Sequence, residues 1–173
     1  MAALGPVALA RVASAEGARS EPKASEGGPP LGLEREDALA KSGLVYISPL
    51  LSDGRESTCH GEVWFAWLDG AVVVITGRDR WKARAVARGL DGARLWVGDH
   101  GPWKRLGVVE NQAFRAAPSF VATAEIVKDP ALLDRLLAEF ERKYPEEIGA
   151  WRDRMRSGYA DGSRVLVRYT PRP

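Results

Sequence analysis

Val63-Trp64-Phe65-Ala66-Trp67-Leu68-Asp69-Gly70-Ala71-Val72-Val73-Val74-Ile75-Thr76 runs directly into Gly77-Arg78-Asp79-Arg80-Trp81-Lys82-Ala83-Arg84. The apolar residues on either side of Leu68-Asp69-Gly70 read as a β-hairpin. Its second strand ends in a threonine, and a turn and a short basic helix follow. The chain therefore delivers a hydroxyl, several backbone N–H groups and up to four cations to one place. Phosphate oxygens suit such a place. Helix N-termini present unpaired donors, their dipole favours anions, and Lys and Arg add formal charge.

Outward from this hairpin the same reading gives about six short strands. They cover residues 44–48, 60–67, 71–76, 93–98, 120–127 and 163–169. Pro49 stops the first, and Ala122, Ala124 and Ile126 share a face of the fifth. Helices are predicted over 34–41, 80–88, from Asp129 onward, and over 146–155. Asp129-Pro130 combines an N-cap with a proline at the first helical position. Leu132, Leu133, Leu136, Leu137 and Phe140 then recur at helical spacing. Alternation puts Trp64 on the opposite side of its strand from Phe65 and Trp67. Hairpin-joined strands with few βαβ units make the protein mainly β with flanking helices (α+β), as an antiparallel barrel or sheet. Residues 99–119 form a long connection carrying Trp103, Lys104, Arg105 and Phe114; it is either a surface excursion, with an extra hairpin near 106–109, or a ligand or dimer element.

The chain has 173 residues and suits a single folded domain. Residues 16–30 are rich in Ala, Ser, Glu, Gly and Pro, and residues 1–31 read as a disordered tail; 32–173 form the domain. A secretory signal is not expected, because Pro6 interrupts the apolar start and Arg11 closes it. No apolar run reaches the roughly 20 residues of a membrane helix. The 25 basic side chains against 23 acidic ones, net +2, give no general preference for nucleic acid. The single cysteine, Cys59, cannot form an intramolecular disulfide, which is compatible with a cytoplasmic protein. His60 and His100 lack the spacing of a metal site, and none is expected. No nucleophile elbow or Cys/His signature supports a hydrolase.

The order of these elements resembles the pyridoxamine 5′-phosphate oxidase-like family of flavin-binding proteins. The features that carry the likeness are the Val-Trp-Phe strand, the strand ending in Thr, the Lys-Ala-Arg helix, the Asp-Pro helix with Lys143-Tyr144, and the closing Arg-Val-Leu-Val-Arg-Tyr-Thr-Pro. The resemblance spans about residues 37–171 and implies a six-stranded antiparallel split β-barrel. It also implies a homodimer with FMN, or alternatively a deazaflavin, at the subunit interface. The isoalloxazine ring would lie along Glu62, Val63, Trp64 and Phe65, largely on main-chain groups. Thr76 and Lys82 would hold the phosphate, with Arg80 and Arg84 as further cations and Trp81 stacking on a ring or packing. The implied activity is hydride transfer to or from a small organic substrate. No side chain stands out as an acid/base catalyst. The first strand, His60-Gly61-Glu62-Val63-Trp64-Phe65, lacks the arginine of the oxidase branch, which argues against pyridoxamine phosphate oxidation itself. Two other classes fit the same fold: a non-catalytic carrier of flavin, deazaflavin or haem, and a dimeric scaffold without a ligand.

Overall fold

The structure, a computed structural model, describes residues 35–102 and 112–172. The expected tail over 1–31 and the centre of the 99–119 connection lie outside the described residues. Four helices, α1 (Arg35–Lys41), α2 (Trp81–Ala87), α3 (Pro130–Lys143) and α4 (Arg152–Ala160), surround one antiparallel sheet. Its strands are β1 (Val45–Pro49), β2 (Gly61–Val63), β3 (Ala66–Leu68), β4 (Ala71–Gly77), β5 (Gly92–Val97), β6 (Ser119–Val127) and β7 (Arg164–Pro171).

The sheet order is β2-β1-β5-β6-β7-β4-β3. Seven segments replace the six strands expected, because the strand predicted over 60–67 is two strands. β2 pairs with β1, whereas β3 pairs with β4 across the hairpin. These two segments are the opposite edges of the sheet, yet only Trp64 and Phe65 separate them. Their facing ends therefore lie at most about 11 Å apart. The sheet must curl to bring its two edges near each other there, which makes it a split barrel whose edge strands do not pair. The hairpin turn itself follows from Asp69 and Gly70, both with positive φ (52° and 72°), the geometry of a two-residue type I′ turn.

Alternation along the strands builds the two main cores. Inside the barrel, Val72 and Val74 of β4 meet Val165, Val167 and Tyr169 of β7, with Ile47, Leu95, Ala122 and Ala124 from the other strands. Phe65 and Trp67 join this interior. Outside, Val73 and Leu166 meet Leu132, Leu133, Leu136, Leu137 and Phe140 of α3, and Trp64 packs on that side. The sides predicted for Trp64, Phe65 and Trp67 thus hold even though the pairing changes between them. Asp129 caps α3 as its sequence implies, accepting the N–H groups of Ala131 and Leu132 at 2.9 and 3.1 Å. The helix predicted over 146–155 is displaced. A 3₁₀ turn occupies Ile148–Ala150, and α4 starts only at Arg152. Gly149, a poor helix former, lies in that turn.

The end of α3 fixes the strand switch. The Tyr144 hydroxyl accepts the Phe65 N–H at 3.2 Å and donates to the Gly43 carbonyl at 2.7 Å. The Lys143 ammonium donates to the Phe65 carbonyl at 3.3 Å. The Tyr144 ring stacks on Trp64, with centroids 4.5 Å apart and planes 8° from parallel. Phe65 is buried, so its main chain would otherwise lose a partner in leaving the ladder. Tyr144→Phe leaves that N–H unpaired and is expected to lower the unfolding free energy by about 1–3 kcal/mol. Denaturant unfolding of the variant checks this; an unchanged midpoint would show that another group serves Phe65.

Candidate functional site

The closure point sets the site. Because β2 returns to the edge of β4, Glu62 and Val63 come beside the C-terminal end of β4 and the start of α2. A cavity of about 460 Å³ lies between them. Glu62, Val63, Thr76, Arg80, Trp81 and Lys82 all line it, together with Val74, Ile75, Gly77 and Arg164. Thr76 shares the inward face of β4 with Val74, at the strand's open end, and is opposite Val165 in the register. At Gly77 the chain folds back on itself: a Cβ there would stand 2.7 Å from an Asp79 carboxylate oxygen and 3.2 Å from Arg80 Cγ. Gly77 therefore admits the turn that brings Arg80 over the end of β4.

Trp81 and Lys82 lie over Gly61, where a Cβ would be 3.4 and 3.5 Å from the Trp81 ring and the Lys82 ammonium. The Lys82 ammonium sits 4.3 Å from the centre of the Trp81 ring, a cation–π contact. Burial pushes the Lys82 ammonium down from 10.5 to about 8; the Glu62 carboxylate raises it and the Arg80 guanidinium lowers it further. Three cations, Arg80, Lys82 and Arg164, thus face this cavity against the single carboxylate of Glu62. An anion placed there relieves their mutual repulsion.

A second cavity, of about 390 Å³, shares the wall formed by Glu62, Val63, Ile75 and Arg164. Its other lining is Trp64, Phe140, Trp151 and Met155. It is aromatic and apolar where the first is cationic. Trp151 is 42% exposed, unusual for a large apolar side chain in this fold.

Of the residues singled out from the sequence, six therefore converge on one cavity, and Trp64 belongs to the adjoining one. The Phe65 side chain does not reach either, because it points into the barrel interior. Its N–H and C=O are engaged by Tyr144 and Lys143. Arg84 lies on another side of α2, against a separate cavity. Arg164 was not singled out; its place is set by pairing with Gly77 across β4 and β7. His60 lies away from these cavities, hydrogen-bonded to Ser48 and 3.1 Å from an Arg115 nitrogen. Arg115 and Arg94 both hold Glu56, at 2.9 and 3.1 Å. Among the described residues no group of three His, Cys, Asp or Glu could hold a metal ion, and no helix is long and apolar enough to cross a membrane.

Comparison with solved structures gives the fold its class. The haem storage protein HutZ from Vibrio cholerae aligns with a TM-score of 0.54 and 15% identity, covering 83% of this chain and 92% of its own. An FAD-binding protein from Mesorhizobium loti aligns at 0.50 with 16% identity, over 83% and 91%. A Listeria innocua protein described as a candidate pyridoxamine 5′-phosphate oxidase aligns at 0.50 with 11% identity, over 80% and 90%. No family model and no curated relative matches the sequence. The chain has the split-barrel fold of the pyridoxamine 5′-phosphate oxidase-like proteins, as its sequence resemblance implies.

The two lysines make the stability of the fold depend on pH in the alkaline range. Burial lowers both Lys82 and Lys143 to about 8. Above that value the folded chain has released protons that the unfolded chain holds until its lysines titrate near 10.5. Unfolding free energy should therefore rise from pH 8 to pH 10. Tyr144, pushed up to about 12, opposes this only above 10. Thermal melts at these pH values check the rise. Lys82→Met should remove its share, and a slope identical to wild type would show that Lys82 keeps its ordinary pKa.

Proposed function

We propose that this protein binds a phosphate-bearing flavin, FMN or a deazaflavin, and acts as a flavin-dependent oxidoreductase on a small organic substrate. One observation carries the reading. A cationic cavity and an aromatic, apolar cavity share the wall of Glu62, Val63, Ile75 and Arg164. A planar ring joined to a phosphate has these two halves, so the residues present fit such a molecule.

In this reading Lys82 and Arg80 balance the phosphate charge through charge-assisted hydrogen bonds. The Thr76 hydroxyl adds a donor. Glu62 and Val63 run along the ring edge, and Trp64 and Ile75 form apolar surface that keeps water from it. When bound, a flavin supplies the hydride chemistry that no side chain of the site provides. Placing the ring where the two cavities meet would leave one face for the second substrate. The shared fold also admits a non-catalytic carrier of flavin or haem. Among the described residues neither histidine lines these two cavities, which favours a flavin over a histidine-ligated haem.

A homodimer with the cofactor at the subunit interface belongs to the same proposal. The exposed Trp151 lies at the apolar cavity, where a second copy would cover it. Sedimentation at micromolar concentration is expected to give a dimer; a monomer would argue against a shared site. Fluorescence titration with FMN is expected to saturate. Lys82→Ala should weaken binding roughly ten- to hundredfold, the equivalent of a charged hydrogen bond of about 1.5–3 kcal/mol. Unchanged affinity in this variant would remove Lys82 from the phosphate site.

A further inference from the structure

A third cavity, of about 440 Å³, lies on the other side of Arg164 from the cofactor site. Its floor is apolar, with Ala83 on α2, Ile126 at the end of β6 and Val165 on β7. Its rim is cationic. Arg78, Arg84, Lys128 and Arg164 all line it, and no carboxylate does. Nearby acidic groups are committed elsewhere. Asp129 caps α3, Asp161 accepts the Ser163 N–H, and Glu125 faces Arg168.

Many arginines elsewhere in the protein are paired. Arg55, Arg94, Arg115, Arg135, Arg142, Arg152 and Arg156 each meet a carboxylate within 3.1 Å. Among the described residues, Arg78, Arg84, Lys128 and Arg164 make no ion pair. Arg78 is positioned by its Nε–H, which donates to the Gly162 carbonyl at 2.7 Å, leaving its terminal nitrogens for a ligand. Four uncompensated cations around one apolar floor repel each other. A single anionic group would relieve that cost while an apolar body covers the floor. The volume is that of a small-molecule site.

We propose that this cavity is a binding site for a small amphipathic anion, an apolar body bearing one carboxylate or phosphate. The four cations fix the head group and Ala83, Ile126 and Val165 take the body. The site adjoins the cofactor site through Arg164, which lines both, but it does not rest on the flavin reading.

Calorimetric titration of the full-length protein with octanoate, octyl phosphate, octanol and inorganic phosphate tests it. Octanoate or octyl phosphate should bind saturably, and the stronger of the two identifies the preferred head group. Octanol and inorganic phosphate should each bind at least tenfold more weakly. Arg84→Glu and Lys128→Glu, both at exposed positions, should each weaken the amphipathic anion at least fivefold with unaltered melting temperatures. Lys128→Glu should titrate FMN as wild type does. The proposal is overturned if neither amphipathic anion binds, if octanol binds as tightly, or if both variants bind as wild type. It is also overturned if saturating FMN displaces the anion, since the cavity would then be part of the cofactor's own site. A switch from dimer to monomer in Arg84→Glu, without anion binding to wild type, would assign the cavity to a second copy and overturn it too. Anion binding with no flavin binding would leave this site standing and remove the flavin reading alone.

Discussion

Trp64 and Phe65 carry the chain from one edge of the sheet to the other in a single step, and the main chain of Phe65 leaves the ladder to do so. Its N–H would be buried without a partner were the Tyr144 hydroxyl not placed against it. The same hydroxyl reaches Gly43, ahead of β1, so one oxygen ties the switch to the barrel wall. Lys143 holds the Phe65 carbonyl, and its ammonium lies 3.6 Å from the centre of the Phe65 ring. α3 thereby does two things. It buries the leucine face of the helix on the outer side of β4 and β7, and it fixes where the barrel closes.

The site is a consequence of that closure. Glu62 and Val63 leave β1 just before the switch, so they come to stand beside Thr76 and Gly77 at the far edge of the same sheet. The short α2 then drops Trp81 and Lys82 onto Gly61. At this corner the cationic and aromatic cavities share the wall of Glu62, Val63, Ile75 and Arg164. Arg164, paired with Gly77, lines both the cationic cavity and the third cavity. Lys82 is pushed down to about 8 chiefly because it is desolvated; the Glu62 carboxylate only partly offsets that burial.

Much of this was legible in the residues. Alternation placed strand in every segment that holds one and gave the correct sides for Trp64, Phe65 and Trp67, and helical spacing gave the buried face of α3. What alternation does not encode is the hydrogen-bonding partner. The side-chain pattern runs unbroken through 60–67 while the main chain changes neighbours, so one strand was read where two exist. Thr76, Arg80 and Lys82 were legible as a group because they are close in sequence. Lys82 and Arg84, two residues apart on a helix, do not face each other, which is why Arg84 belongs to a different cavity. The placement of Arg164 depends on the register of β7 against β4, and no local signal reports it. Tyr144 was visible as part of a family pattern, but its role at the strand switch needed the fold.

We propose that the corner formed by Glu62, Thr76 and Lys82 holds the phosphate of a bound flavin. The most direct test is mass spectrometry of the small molecule released when protein purified from its native host is denatured. The account predicts a flavin or deazaflavin carrying a phosphate, near one per chain. Release of haem, or of no such molecule from protein that also fails to retain added FMN, would contradict it.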